Sequence, residues 1–164
     1  MAAAETDSSH RGPDQVTDEA AVREEANRLA GAVQLEDIIY FETSAKRQEP
    51  DGVIASDVPE PAEVPIQVMI GQGTDRLLIR VVIEVTGLQA TFRVDVGAQF
   101  VLAEAVEPSP DVLVAFASRS AMGILVPFIR ESLMTMASRM RVPAPMLPLE
   151  QFGHLTPEGV TVTE

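Results

Sequence analysis

From Leu77 to Val85 the chain alternates. Leu77, Ile79, Val81, Ile83 and Val85 fall on one face, Arg76, Arg80, Glu84 and Thr86 on the other, and Leu78 and Val82 leave that second face only partly polar. A period of two is that of a β-strand with a buried side. After Gly87 the alternation resumes, with Phe92, Val94, Val96, Ala98, Phe100 and Leu102 opposite Thr91, Arg93, Asp95 and Gln99. Two long strands joined by a tight turn predict an antiparallel hairpin. Val64, Ile66, Val68 and Ile70 predict a shorter strand that ends at Gly71-Gln72-Gly73. A fourth is predicted over Leu35–Ser44, with Leu35, Ile39 and Phe41 on one face and Ile38 and Tyr40 on the other.

Two segments carry helical signals instead. From Asp18 to Ala32 strong helix formers, acids in the first turn and a narrow stripe of Val22, Ala26 and Leu29 predict a short docked helix ending near Gly31. Ser109 as cap and Pro110 at the first helical position open a second helix, expected to run to about Met140. Pro127 removes a backbone donor and crowds the carbonyl of Gly123, so a bend is expected there, with the glycine making room. Pro143, Pro145 and Pro148 forbid continuation. Residues 46–63 are polar and proline-rich and read as a long crossing loop; residues 1–16 read as a disordered acidic tail and 153–164 as a ragged one.

The segment from Gly123 to Glu131, with Leu125-Val126-Pro127-Phe128-Ile129-Arg130-Glu131, then Arg139 and Pro143, resembles the SecB-like protein-export chaperones. With the strands upstream, the resemblance covers about Val33 to Phe152. It implies an α+β fold in which a four-stranded antiparallel sheet is backed by the long kinked C-terminal helix, a short N-terminal helix being added, and places the SecB-like domain at 17–152. It further implies a cytoplasmic, ATP-independent holdase that assembles as a homotetramer, a dimer of dimers, and hands unfolded preproteins to a SecA-type translocation motor. Asp37 and Asp95 fall where the family docks that motor, with Glu42 nearby if one residue is inserted, although Arg93 stands where the family has an apolar residue. The break at Gly153–Gly159, where the family continues into another helix, is shared with SecB-like chaperones dedicated to a restricted client such as an antitoxin, which is the alternative.

Composition narrows the chemistry. A net charge of −13 argues against nucleic acid and anionic membranes, and favours basic or unfolded partners. There is no cysteine, hence no disulfide, thiolate nucleophile or sulfur-based zinc site. The start Met-Ala-Ala-Ala-Glu lacks signal-peptide character, consistent with the cytoplasm, and Arg119, Pro127, Arg130 and Glu131 interrupt the most apolar stretch, so no membrane insertion is expected. His10 and His154 have no partner at catalytic spacing, so neither enzyme activity nor a cofactor or metal is expected.

What stands out is adaptable apolar surface. Five of the seven methionines, Met122, Met134, Met136, Met140 and Met146, lie on or just after the long helix. A client groove is expected from Ile38, Tyr40, Leu78, Val82, Phe116, Met122, Leu125, Phe128, Met134 and Met136. Gly123, Pro127, Arg130 and Glu131 are assigned to the bend and to assembly; adjacent on a helix, Arg130 and Glu131 should not pair. A non-chaperone oligomeric binding module of hot-dog type, or a purely structural assembly protein, are the competing classes.

Overall fold

The computed structural model describes residues 13–48, 64–87, 89–103, 106–147 and 160–163, with side chains from residue 18 onward. The elements are α1 (Pro13–Ala32), β1 (Val33–Arg47), β2 (Ile66–Gln72), β3 (Arg76–Thr86), β4 (Ala90–Leu102), α2 (Pro110–Phe116), α3 (Met122–Met140) and β5 (Val160–Thr163). The sheet order is β1-β4-β3-β2-β5. The fold is α+β, as expected, with each of the four foreseen strands present. The expected tail at 1–16 lies largely outside the described residues, and so do residues 49–63 and 148–159.

The β3–β4 hairpin forms the centre because its alternation is strict. Ile79 stands opposite Ala98, Val81 opposite Val96 and Ile83 opposite Val94, and all six are fully buried. Burying each large aliphatic side chain stabilises by about 1.5–3 kcal/mol. Gly87 closes the hairpin by donating its N–H to the Ala90 carbonyl, and Gly73 does the same toward Arg76 between β2 and β3. Gly71 and Gln72 are still paired with Leu78 and Leu77, so the strand runs through them and the turn itself begins at Gly73. β1 and β2 lie at different sides of this hairpin, so residues 48–65 connect strands with β4 and β3 between them.

One side of the sheet is covered by helix. Leu113, Ala117, Ala121, Leu125, Ile129, Leu133 and Ala137 recur at every fourth position and are all buried to within 1%. In a regular α-helix a four-residue step overshoots one turn, so such a seam winds around the axis. Ala117–Ala121 form a π-helical turn, which takes more residues per revolution and brings the seam back toward the sheet. Phe116 meets Phe100 of β4 edge-to-face, with ring centroids 5.3 Å apart. α1 packs on α2 and buries Ala26 and Leu29, in agreement with its narrow stripe.

Three expectations need correction. The long helix carries an irregularity that was not expected, a π turn at Ala117–Ala121, while the α-helix continues through Pro127 and a side chain at Gly123 would meet no neighbour from another element. α1 begins at Pro13 rather than Asp18, because proline is tolerated in a first turn. The sheet has five strands, since Val160–Thr163 pairs in parallel with Val68–Gly71 at the open edge of β2, where the sequence reading placed a ragged tail.

The long helix is long and apolar enough by composition to cross a membrane, yet half of its most apolar stretch is buried inside the fold. It stops at Met140 through a Schellman arrangement: Val142 N–H donates to the Ala137 carbonyl and Arg141 N–H to that of Ser138. Arg141 takes φ 56°, a left-handed conformation that costs a residue with a Cβ and suits glycine. Arg141→Gly is therefore expected to raise unfolding stability by about 0.5–1 kcal/mol in urea titrations.

Candidate functional site

Two irregularities in β1 decide which side chains share a face. Leu35 stands opposite Phe100 and Asp37 opposite Gln99, so Glu36 is an extra residue; Tyr40 stands opposite Val96 and Glu42 opposite Asp95, so Phe41 is another. Each bulge resets the alternation. Leu35, Ile38 and Tyr40 consequently point to the helix side, while Asp37, Ile39 and Glu42 point to the outer side. Sequence alternation had paired Leu35 with Ile39 and Phe41.

The expected client groove is therefore divided. Leu78 and Val82, opposite Gln99 and Asp95, lie on the outer side of the sheet, and cannot line a groove with Ile38 and Tyr40 in one chain. Phe116, Met122 and Leu125 are buried in the chain's own core and Val82 is buried on the outer side, so none of the four offers a client surface. What remains accessible is Tyr40 (43% exposed), Phe128 (37%) and Met134 (64%), with Ile38, Leu78 and Met136 half-buried. Leu35 was not foreseen in this group, yet it is 41% exposed on the helix side of β1.

α3 packs against both β4 and β1, but one of its stripes is uncovered. Gly123, Pro127, Phe128, Glu131, Met134 and Ser138 recur at three- and four-residue intervals and are exposed, flanked by the half-buried Ile124. Glu131 lies on this stripe and accepts a 2.8 Å hydrogen bond from Thr135; it is not part of a buried network. Arg130 is half-buried and reaches the Leu147 carbonyl at 3.5 Å. As predicted, the two do not pair with each other.

The outer face carries a row of charge pairs. Arg80 makes two hydrogen bonds to Asp95, at 2.7 and 2.6 Å, and its guanidinium lies 4.0 Å over the Phe41 ring. The Asp95 bonds, before any other influence, raise the Arg80 pKa. Gly97 makes the stack possible: a Cβ there would come within 3.2 Å of the Phe41 ring and 3.0 Å of Leu78. On either side, Arg76 pairs with Glu36 and Arg93 with Glu42 and Glu84.

Asp95, only 3% exposed, is thus consumed by Arg80 and does not present the open carboxylate expected of a docking acid. Asp37 is exposed and accepts a bond from the Ile38 N–H. Glu42 reaches the Arg93 side through the one-residue insertion at Phe41. Arg80 and Phe41 were missed as a unit because they are distant in sequence; the one available signal was the run Ile38-Ile39-Tyr40-Phe41, too apolar on both faces for an uninterrupted edge strand.

No protein-family model matches the chain, and no curated protein matches it by sequence. Among solved structures it is similar to Rv1957 of Mycobacterium tuberculosis, a SecB-like chaperone in complex with a ChAD peptide from the antitoxin Rv1956 HigA1. The TM-score is 0.63 at 20% identity, over 80% of this chain and 97% of that one. The chain has a SecB-like fold. A protein of unknown function from Streptococcus agalactiae aligns at TM-score 0.44 and 11% identity, over 71% of this chain and 97% of that chain.

Two tests follow from the outer face of this SecB-like sheet. Asp95→Ala leaves Arg80 stacked without its counter-ion, though partly able to reach water, and should cost about 2–3 kcal/mol in chemical unfolding. The Gln99 amide, followed by Arg76, holds the Glu36 carboxyl below the usual carboxylate range, and the Ser44 hydroxyl, followed by Arg93, does so for Glu42. A carboxylate with a depressed folded pKa stabilises above its unfolded value, near 4.3, and this contribution is lost as pH falls through the folded value. The urea midpoint should drop on acidification below about pH 5, and Glu36→Gln with Glu42→Gln should flatten that part of the profile.

Proposed function

We infer that the chain is an ATP-independent holdase that binds unfolded polypeptide on the helix side of β1 and the uncovered stripe of α3. The observation that carries this is the exposure of Leu35 and Tyr40 on β1 together with Phe128 and Met134 on α3, the latter two beside Leu125, Ile129 and Leu133, which the same helix buries completely. The described residues of a single chain do not cover these side chains, and an extended apolar segment or sibling subunits arranged as a homotetramer would. Flexible methionines suit partners of varied shape. Binding the non-native state withdraws it from aggregation by mass action, without nucleotide. The net charge of −13 keeps a loaded complex soluble and favours basic clients. Among the described residues the enzyme and hot-dog classes find no comparable feature, whereas a purely structural assembly protein would share this surface and is separated from a holdase by the aggregation assay below.

A dedicated client is the second reading. The structural neighbour was solved with an antitoxin peptide, and here the outer face retains Asp37 but ties Asp95 to Arg80, which weakens the case for a SecA-type motor. Export of preproteins and service to one antitoxin-like client predict the same surface but different breadth of binding. Cytoplasmic action accords with either.

Near-stoichiometric chain should suppress light scattering by a chemically denatured client without nucleotide. Replacing both Phe128 and Met134 by Asp should raise the required concentration about tenfold, a loss near 1.4 kcal/mol, with unchanged circular dichroism because both sites already face solvent. Absence of suppression by the unmodified chain overturns the holdase reading; suppression confined to one client type selects the dedicated one. For the assembly role, Arg130→Ala is expected to lower the oligomer mass in multi-angle light scattering before it lowers peptide affinity.

A further inference from the structure

At the β2 edge the chain binds a piece of itself as an extended peptide. β5 is four residues long, runs parallel to β2, and pairs Val160 with Val68, Thr161 with Met69, Val162 with Ile70 and Thr163 with Gly71. Val160 and Val162 lean onto the buried Val68 and Ile70, while Thr161 and Thr163 face outward. The side-chain contribution is slight: the Thr163 hydroxyl donates to the Ile70 carbonyl at 3.3 Å. Parallel pairing is somewhat weaker per residue than antiparallel pairing, and a four-residue strand leaves Ile66, Gln67 and Gln72 of β2 without a partner from β5. Nothing in these contacts requires that the occupant belong to this chain. Backbone bonds supply the affinity, and the selectivity is for apolar, β-branched residues at alternate positions.

We propose that the edge of β2 is a strand-addition site for an extended client segment with alternating apolar residues, and that Val160–Thr163 occupies it as a displaceable internal cap. The proposal rests on the holdase reading and deepens it: the helix side of β1 and α3 would hold apolar side chains, and β2 would hold backbone at the opposite side of the sheet. A tethered occupant competes at a local concentration in the roughly millimolar range, so only clients retained elsewhere on the surface displace it effectively. The cap thereby favours long unfolded chains over short peptides.

The absence of cysteine makes a direct test available. Met69 and Thr161 are register partners on the outer side, so full-length chain carrying Met69→Cys and Thr161→Cys can be locked by oxidation and released by reductant, to which the unmodified chain is indifferent. The probe is a labelled synthetic peptide of residues 159–164, read by fluorescence anisotropy, alongside suppression of client aggregation. Val162→Asp in the full chain, which weakens the cap without touching β2, is the second variant. Expected are peptide binding at least about tenfold tighter to Val162→Asp than to the unmodified chain, no binding to the oxidised double-cysteine chain, and weaker aggregation suppression when locked than when reduced. Equal peptide binding or equal suppression in the locked and released states overturns strand exchange while leaving the holdase reading intact. Loss of suppression in the unmodified chain strikes that reading instead.

Discussion

Strand β4 is covered on one side by its own helices and crowded on the other by charge, and both conditions must hold together. Its even-numbered residues from Ala90 to Leu102 are uniformly apolar and buried, so the α2–α3 seam has a continuous surface to lie on. Its odd-numbered residues include Arg93, Asp95 and Gln99, which demand partners from β1 and β3. Apolar packing alone would allow β1 to slide along β4; the placement of Glu36, Glu42 and Arg80 against fixed β4 partners makes a shifted register leave charges unmatched. The hydrophobic side supplies most of the stabilisation, and the polar side supplies the uniqueness of the arrangement.

Legibility in the sequence followed the length over which one period persists. The β3–β4 hairpin and the Pro110 helix start were legible because the alternation of Leu77–Val85 and a proline in the first turn follow local rules, although Ser109 stands at the cap position without a side-chain cap bond. β1 was located, but its faces were misassigned, since a single extra residue at Glu36 or Phe41 inverts the alternation without altering composition. The π turn was hidden because small residues at Ala117 and Ala121 fit a regular helix equally well. β5 was hidden because four residues carry too little pattern to be told from a loop; its existence depends on the vacant side of β2, a property of the sheet and not of the segment.

The candidate surface was legible only in part for a related reason. Helical spacing marks which residues are apolar, but not which of several apolar faces finds the sheet. Phe116, Met122 and Leu125 won that competition and became core, whereas Phe128 and Met134 were left outside. Asp95 shows the corresponding ambiguity for charge: an acid in a strand can be an open docking point or an internal counter-ion, and the deciding residue, Arg80, is fifteen positions away.

The two bulges of β1 have a bearing on the molecule's own solubility. A fifteen-residue strand at the margin of a sheet, carrying Tyr40 and Phe41, would be a good template for endless stacking of identical copies into a fibril if it were straight. Extra residues at Glu36 and Phe41 coil that margin and interrupt the even spacing of its free amides, so a second flat strand cannot run along its whole length. The same two inserted residues that set the faces of β1 thus also make its margin a poor template for strand-by-strand growth.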